Sequence, residues 1–322
     1  MGDFFGWDSL RDPKTALLCE GGGQLGVYGV GALRCFFDHG VTFPYYIGVS
    51  AAAANLTSHL AGHRDRTLRF YAEYAARREY MGLGRWLRGG SFVDLMYVYE
   101  TITAPGGEDP INYDVLCACP DEIRVVATDA ATGRAAYFGN EAFARRDCRA
   151  LMASCALPVY CRPVELDGRF YFDGGVADSL PVERSLSEGC QRVVAILNRP
   201  PGFVKQPEKG RPMYSLVLRK YPAIADALRR RHEGYMRSLR LLEQMEREGT
   251  AILIRPQAPL PMHTFTRRPR DLLERVCDIG YEDAEKALLI RPLSYTPAVP
   301  LPAESRAGGE TIHAAAHSSR PL

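Results

Sequence analysis

The stretch Tyr45-Tyr46-Ile47-Gly48-Val49-Ser50-Ala51-Ala52 passes from an apolar, strand-like run through Gly-x-Ser into an alanine-rich helical segment. A chain that turns this sharply from strand to helix throws the serine hydroxyl out at the tip of the turn, with a helix N-terminus behind it. That is the geometry of a nucleophile elbow for acyl transfer, here with Ala52 where a second glycine is usual. Gly-x-Ser by itself occurs in many surface turns, so the weight of the reading falls on what flanks it.

Upstream, Thr15 to Cys19 is a short apolar strand candidate ending in Glu20-Gly21-Gly22-Gly23. Val27 to His39 reads as a helix, closed by Gly40 at its C-terminal cap. Tyr45 to Gly48 is a second strand and Ala51 to Leu60 a second helix. This order, β-loop-α-β-turn-α, predicts an α/β fold with a parallel sheet and helices on its faces. Downstream, Ile123 to Thr128 and Ala135 to Phe138 read as strands, and Phe143 to Ser154 as a helix that stops before Pro158. Glu165 to Phe172 has hairpin chemistry, with Asp167-Gly168 as its two-residue turn. Val193 to Leu197 is one more buried strand.

After Asn198 the composition shifts. Arg199 to Pro212 is rich in Pro, Gly and Lys and reads as a linker. Ile224 to Glu248 is an amphipathic helix, with Ile224, Leu228, Tyr235, Leu239, Leu242 and Met245 at helical spacing. Arg229, Arg230, Arg231, Arg237 and Arg240 are assigned to its other face. A basic amphipathic helix suits a membrane surface, but the interleaved Glu233, Glu243, Glu246 and Glu248 favour a solvated face laced with i,i+4 pairs. Ala251 to Ile254 is a last strand and Asp271 to Leu289 a last helix. From Pro297 to Leu322 the composition predicts a disordered tail.

Bulk properties set the frame. The chain has 322 residues, 46% hydrophobic and 24% charged, enough for one large α/β domain and an appendage. A net charge of +2 predicts no nucleic-acid partner. Nine cysteines and a polar opening without a secretory pattern read as a reduced, cytoplasmic protein. No apolar run reaches the ~20 residues of a spanning helix, so lipid would be met from the aqueous side, at most peripherally. Cys117-Ala118-Cys119 lacks a second Cys/His pair at zinc spacing, and no metal or cofactor is expected.

Two further features bear on chemistry. Gly21, Gly22 and Gly23 leave backbone N–H groups unobstructed ahead of a helix N-terminus, able to hold a phosphate or an oxyanion. Gly21, Gly23 and Gly26 also fit a dinucleotide-binding pattern, but the next strand ends in Gly48-Val49-Ser50 rather than the required acidic residue. Asp173-Gly174-Gly175 follows the strand-like Phe170-Tyr171-Phe172, where two glycines give the carboxylate room at the sheet edge.

Glycine-rich loop, Gly-x-Ser-x-small and Asp-Gly-Gly, in that order, resemble the patatin-like phospholipase family. The connecting text is also similar: Ala153-Ser154-Cys155-Ala156-Leu157-Pro158, Pro163-Val164, Asp167-Gly168 and Pro181-Val182. The resemblance covers about residues 15 to 200, leaving 1–14 as an N-terminal segment, 201–296 as a mainly helical extension and 297–322 as the tail. It implies a three-layer α/β/α fold and a Ser50–Asp173 dyad with no intervening histidine. It also implies ester hydrolysis of phospholipid or neutral lipid through an acyl-serine, with the Gly21–Gly23 loop as the oxyanion hole. Gly26, Gly48, Ala52, Gly174 and Gly175 would support these motifs. Two positions depart from the family pattern: Leu25 stands at its Arg/Lys position, and Ala52 replaces the elbow's second glycine. They motivate the alternative of a weak or inactive acyl-chain-binding protein on the same scaffold.

A Ser…Asp…His order would also be met by His232 or His263, but each reads as a surface or packing histidine, His232 as facing solvent, and His59 and His63 read the same way. The C-terminal helices and residues 64 to 115 are expected to wall the substrate pocket. Within them Arg69 to Leu95, rich in aromatics and arginines, reads as a lid, an interfacial surface or a buried helix.

Overall fold

Thr15–Cys19 is wholly buried and forms β1, at the centre of an eight-stranded sheet. The computed structural model describes residues 12–88, 90–207, 214, 216–262 and 268–290, with backbone alone at 288–290. Residues 1–11, part of the Arg199–Pro212 linker, His263 and the tail from Pro297 lie outside the described residues.

The strands are β1, β2 (Tyr45–Val49), β3 (Glu122–Asp129), β4 (Ala135–Phe138), β5 (Val164–Leu166), β6 (Arg169–Asp173), β7 (Arg192–Ile196) and β8 (Ala251–Ile254). Their order is β5-β6-β3-β2-β1-β7-β8, with β4 paired to β3. β3, β2, β1, β7 and β8 run parallel, whereas β4, β5 and β6 pair antiparallel. The expected parallel sheet is therefore corrected to a mixed one. Short connections cause this: Asp129 to Arg134 and Asp167-Gly168 are too brief for the crossover that a parallel pair needs. Asp167 and Gly168 take φ 50° and 78°, the left-handed pair that a two-residue hairpin turn requires.

Alternation along β1 divides the core. Leu17 and Cys19 face the cluster containing α1 (Val27–Asp38), α2 (Ala51–Leu60), α6 (Arg149–Cys155) and α9 (Arg270–Ile290). Ala16 and Leu18 face the cluster with α7 (Val182–Ser187) and α8 (Pro222–Arg247). Three layers, α/β/α, result. Each fully buried leucine contributes roughly 1.5–3 kcal/mol. Shorter helices α3 (Arg66–Arg69), α4 (Leu83–Leu87) and α5 (Tyr113–Ala118), with two π-helical turns at Phe70–Tyr74 and Tyr97–Ile102, fill the connection from α2 to β3.

The expected helix from Phe143 to Ser154 is shorter than its sequence suggests. A 3-10 turn covers Asn140–Phe143, and α6 begins only at Arg149. Arg146 between them has φ 55°, which no α-helix accommodates, and Asp147 Oδ1 then accepts the Arg149 N–H (3.1 Å) to open α6. On the outer layer α1 and α9 touch backbone to backbone. A Cβ on Gly31 would stand 1.8 Å from Cys277 O, and one on Gly280 2.0 Å from Tyr28 O. Tyr28 Oη adds a hydrogen bond to Asp283 Oδ2 at 2.9 Å. No helix among the described residues is long and apolar enough to cross a membrane.

Candidate active site

Ser50 is the single residue between β2 and α2, with φ 57° and ψ −129°. A non-glycine residue there carries strain of order 1–3 kcal/mol, stored where the hydroxyl must project from a sharp turn. The Ser50 N–H donates to Ser154 Oγ (2.8 Å), which ties the elbow to α6. Gly48 lets α2 fold back closely, since a Cβ there would meet Leu56 Cδ1 at 2.8 Å and Ala53 at 3.0 Å. Ala52 is the second residue of α2 and is buried, so its methyl is part of an ordinary helix rather than of the turn.

Asp173 ends β6, and the register of β3 explains why it meets Ser50. β3 residues 125–128 pair with β4 along one edge. On the opposite edge β2 pairs as far as Val49↔Val126, and the next residue, Ala127, pairs with Asp173 of β6. β2 and β6 thus lie end to end on one edge of β3, and the chain leaves β2 as Ser50 where β6 ends in Asp173. The Asp173 N–H donates to Ala156 O (2.9 Å) and its carbonyl accepts from Thr128 Oγ1 (2.8 Å). Gly174 is required beside it: a Cβ there would lie 2.1 Å from Val126 O.

The Asp173 carboxylate is almost fully buried. Oδ1 accepts the Gly175 N–H at 2.8 Å, while Oδ2 has no hydrogen-bond partner among the described residues. Burial raises its pKa; the neighbouring Ser50 hydroxyl, the Arg231 charge and the Gly175 N–H oppose that rise. Ser50 thus neighbours the Asp173 carboxylate, whose Oδ2 makes no hydrogen bond among the described residues. Burial lifts the nearby Cys155 thiol to about 12, which keeps it protonated at neutral pH and out of competition as a nucleophile.

The glycine loop passes next to the elbow. A Cβ on Gly21 would stand 2.5 Å from Val49 O. Gly23 has φ 57° and opens a 3-10 turn, Gly23–Gly26, that leads into α1. None of the N–H groups of Gly21, Gly22 and Gly23 finds an acceptor among the described residues. Tyr71 Oη donates to Gly23 O (3.3 Å), and Asn55 Nδ2 to Gly26 O (3.0 Å). Leu25, where the family pattern has a cation, is buried in the core and anchors the loop by apolar contact.

A second anchor escapes a reading of the sequence. Glu20 is buried, accepting from Asn198 N (2.6 Å) at Oε2 and from Tyr235 Oη (2.9 Å) at Oε1. Asn198 Nδ2 also donates to the carbonyls of Glu20 and Gly21. Burial raises the Glu20 pKa against these hydrogen bonds and the charges of Lys205 and Arg199.

Arg231, assigned from sequence to the solvated face of α8, instead points inward. Its Nε donates to Gly175 O, the carbonyl of the Asp-Gly-Gly loop. Its spacing carries the signal: three residues after Leu228 and four before Tyr235, it falls on the buried stripe. His232 also departs from the expected solvent-facing placement, its side chain being 19% exposed, and it lines neither cavity at Ser50. His59 packs against Phe37 and Tyr46, and burial lowers its pKa to about 4.

Two cavities meet at Ser50. One, about 90 Å³, is walled by Phe70, Tyr71, Met81, Leu95, Val98 and Tyr99, all within residues 64–115. Arg66 also reaches its wall, but its donors are engaged by Asp109 O, Ser58 Oγ and Thr103 Oγ1. The other, about 340 Å³, takes in the glycine loop, Asp173, Asn198, Arg199, Lys205 and Arg231. The Arg69–Leu95 segment lines the apolar cavity with its inner residues and leaves Leu83, Trp86 and Leu87 exposed.

The family model for patatin-like phospholipase matches residues 17–185, and one for a domain of unknown function (DUF6363) matches residues 221–289. The uncharacterized protein YjjU of Escherichia coli is 29% identical over 209 residues, 61% of this chain and 55% of that protein. An uncharacterized NTE family protein of Mycobacterium tuberculosis is 25% identical over 184 residues, 57% of this chain and 49% of that protein. The chain thus spans about half the length of the curated relatives it matches. VipD from Legionella pneumophila (14% identity, TM-score 0.45, 85% of this chain and 66% of that one) is a more distant structural likeness. So is the type III effector ExoU (12%, 0.39, 88% and 54%). Neither adds to the fold described above. The matched segment runs from β1 through the elbow and the Asp-Gly-Gly loop to α7, and by it the chain belongs to the patatin-like phospholipase family.

Proposed function

We propose that the chain is a serine lipid acyl hydrolase in which Ser50 is the nucleophile and Asp173 its base. The observation that carries this reading is the buried Asp173 Oδ2, without a hydrogen-bond partner among the described residues, beside a strained serine at an elbow. In the reaction Ser50 Oγ attacks the ester carbonyl carbon and its proton passes to Asp173. A carboxylate whose pKa burial raises is a better proton acceptor than an exposed one. Negative charge develops on the carbonyl oxygen, and the N–H groups of the Gly21–Gly23 loop receive it. One such donor is worth roughly 2.7–4 kcal/mol in comparable sites. Collapse breaks the bond to the leaving alcohol, which takes the proton from Asp173. Water, deprotonated by Asp173 in turn, then attacks the acyl-Ser50 ester; the C–O bond to Ser50 breaks, Ser50 Oγ takes the proton back from Asp173, and the fatty acid is released.

The apolar cavity on the α2 side of Ser50 suits an acyl chain. Expected substrates are therefore fatty-acyl esters, with phospholipid foremost. A fluorophosphonate probe should label wild type and not Ser50→Ala, and a fluorogenic acyl ester should be turned over by wild type alone among wild type, Ser50→Ala and Asp173→Asn. Lipid binding with no labelling of Ser50 would mean a non-catalytic acyl-chain carrier instead.

A further inference from the structure

The wider cavity also reaches Ser50 and Asp173 and is lined mostly by other residues than the apolar one, which leaves it to take the leaving alcohol of a bound ester. Its cationic residues are Arg199, Lys205 and Arg231, and all three lie beyond the family-matched segment. Its carboxylates, Glu20 and Asp173, are buried at the back, while the three cations are half-buried and nearer the mouth. Charge is thus sorted by depth: a ligand entering from solvent meets the positive groups first.

The cations are also held in place. The Arg199 guanidinium lies 5.0 Å from the Phe203 ring centroid, and Lys205 Nζ 4.8 Å from that of Tyr235. Arg231 is fixed by its bond to Gly175 O. A guanidinium held against an aromatic ring can still offer N–H donors to an oxyanion, and arginine's fork suits phosphate. Cations restrained in advance lose less entropy on binding.

We infer that this cavity is a subsite for a phosphate ester in the leaving group, so that the enzyme prefers anionic glycerophospholipids to neutral glycerides. Arg199 and Lys205 would hold the phosphate, with Arg231 between it and the catalytic loop. The inference rests on the acyl-hydrolase reading above for its place in a reaction, but the site can be tested without turnover.

Two arms test it on the full chain. First, Ser50→Ala is titrated with sn-glycerol 3-phosphate by calorimetry. Saturable binding is expected, weakened at least about ten-fold by Arg199→Gln or by Lys205→Gln, as for loss of one charge-assisted hydrogen bond. Absence of binding, or binding that neither substitution moves, overturns the subsite whatever the enzyme hydrolyses. Second, kcat/KM is compared on monomeric dihexanoyl-phosphatidylglycerol and dihexanoylglycerol. The ratio should favour the phospholipid and fall at least about ten-fold in each variant. An unmoved ratio overturns the preference. The single variants and their thermal midpoints separate loss of the site from loss of the fold. If wild type turns over neither ester and resists the fluorophosphonate, the hydrolase reading fails, and the calorimetry still decides the phosphate site.

Discussion

The two cavities that meet at Ser50 have walls that differ in origin and in chemistry. The wall toward α2 is built from the connection between α2 and β3; it is narrow, aromatic and apolar, and its one arginine is spent on internal hydrogen bonds. The wall toward α8 is wide and polar, and its cations come from the loop after β7 and from α8 itself. Ser50 and Asp173, the proposed nucleophile and base, lie on the seam, in the segment that the patatin-like family model matches. If the proposed reading holds, two tasks are separated in the chain: the segment matched by the patatin-like model carries Ser50, Asp173 and the apolar cavity, while later residues contribute the cations of the other cavity.

Substitutions can break that comparison at the seam or sharpen it at either wall. The largest effect is expected at the dyad: Ser50→Ala or Asp173→Asn should lower turnover of a soluble acyl ester about 10⁴-fold or more, with the thermal midpoint retained. Next comes the glycine loop. Gly21→Ala places a methyl against Val49 O, so the loop must move away from the elbow. Its kcat is expected to drop roughly 10²–10³-fold, the size of one lost oxyanion donor.

A smaller effect concerns pH. Asp173 must be ionised to accept the Ser50 proton, and burial raises its pKa, so kcat/KM should fall on the acid side with a midpoint above the ordinary aspartate value of about 3.9. The Arg231 charge opposes that rise. Arg231→Gln removes a cation that favours the carboxylate form, so the midpoint should move further up in pH. A profile whose acid limb stays where it was would show that α8 does not tune the base. The smallest effect is at the anchor between the walls. Tyr235→Phe deletes the hydrogen bond to buried Glu20 and should cost about 1–3 kcal/mol in denaturant unfolding.

Much of the seam is legible in the sequence because it is local. The span Thr15–Cys19 for β1, Ala51–Leu60 for α2, Ala251–Ile254 for β8 and the Asp167-Gly168 turn all follow from apolar runs and from residues that tolerate a left-handed backbone. Ser50 and the glycine loop follow from strand-to-helix punctuation. The pairing of β6 with β3 does not, because a hairpin's own sequence says nothing about which edge it joins. Nor does the contact of α1 with α9, which needs Gly31 and Gly280 opposite each other across the fold. Arg231 was available in principle: its position on the stripe of Leu228 and Tyr235 outweighs its charge, because a half-buried arginine is tolerated where a carbonyl such as Gly175 O receives it.

The end-to-end placement of β2 and β6 on one edge of β3 has a consequence for how such a site can change over time. Strand side chains alternate between faces, and neighbouring residues stand about 3.3 Å apart along the strand. A one-residue slip of β6 against β3 would therefore carry Asp173 away from Ser50 and turn its carboxylate to the other face of the sheet. The spacing of Ser50 and Asp173 along β3 therefore changes in whole residues. Variation that preserves activity is channelled away from this register, into the cavity walls, where substitutions act one side chain at a time.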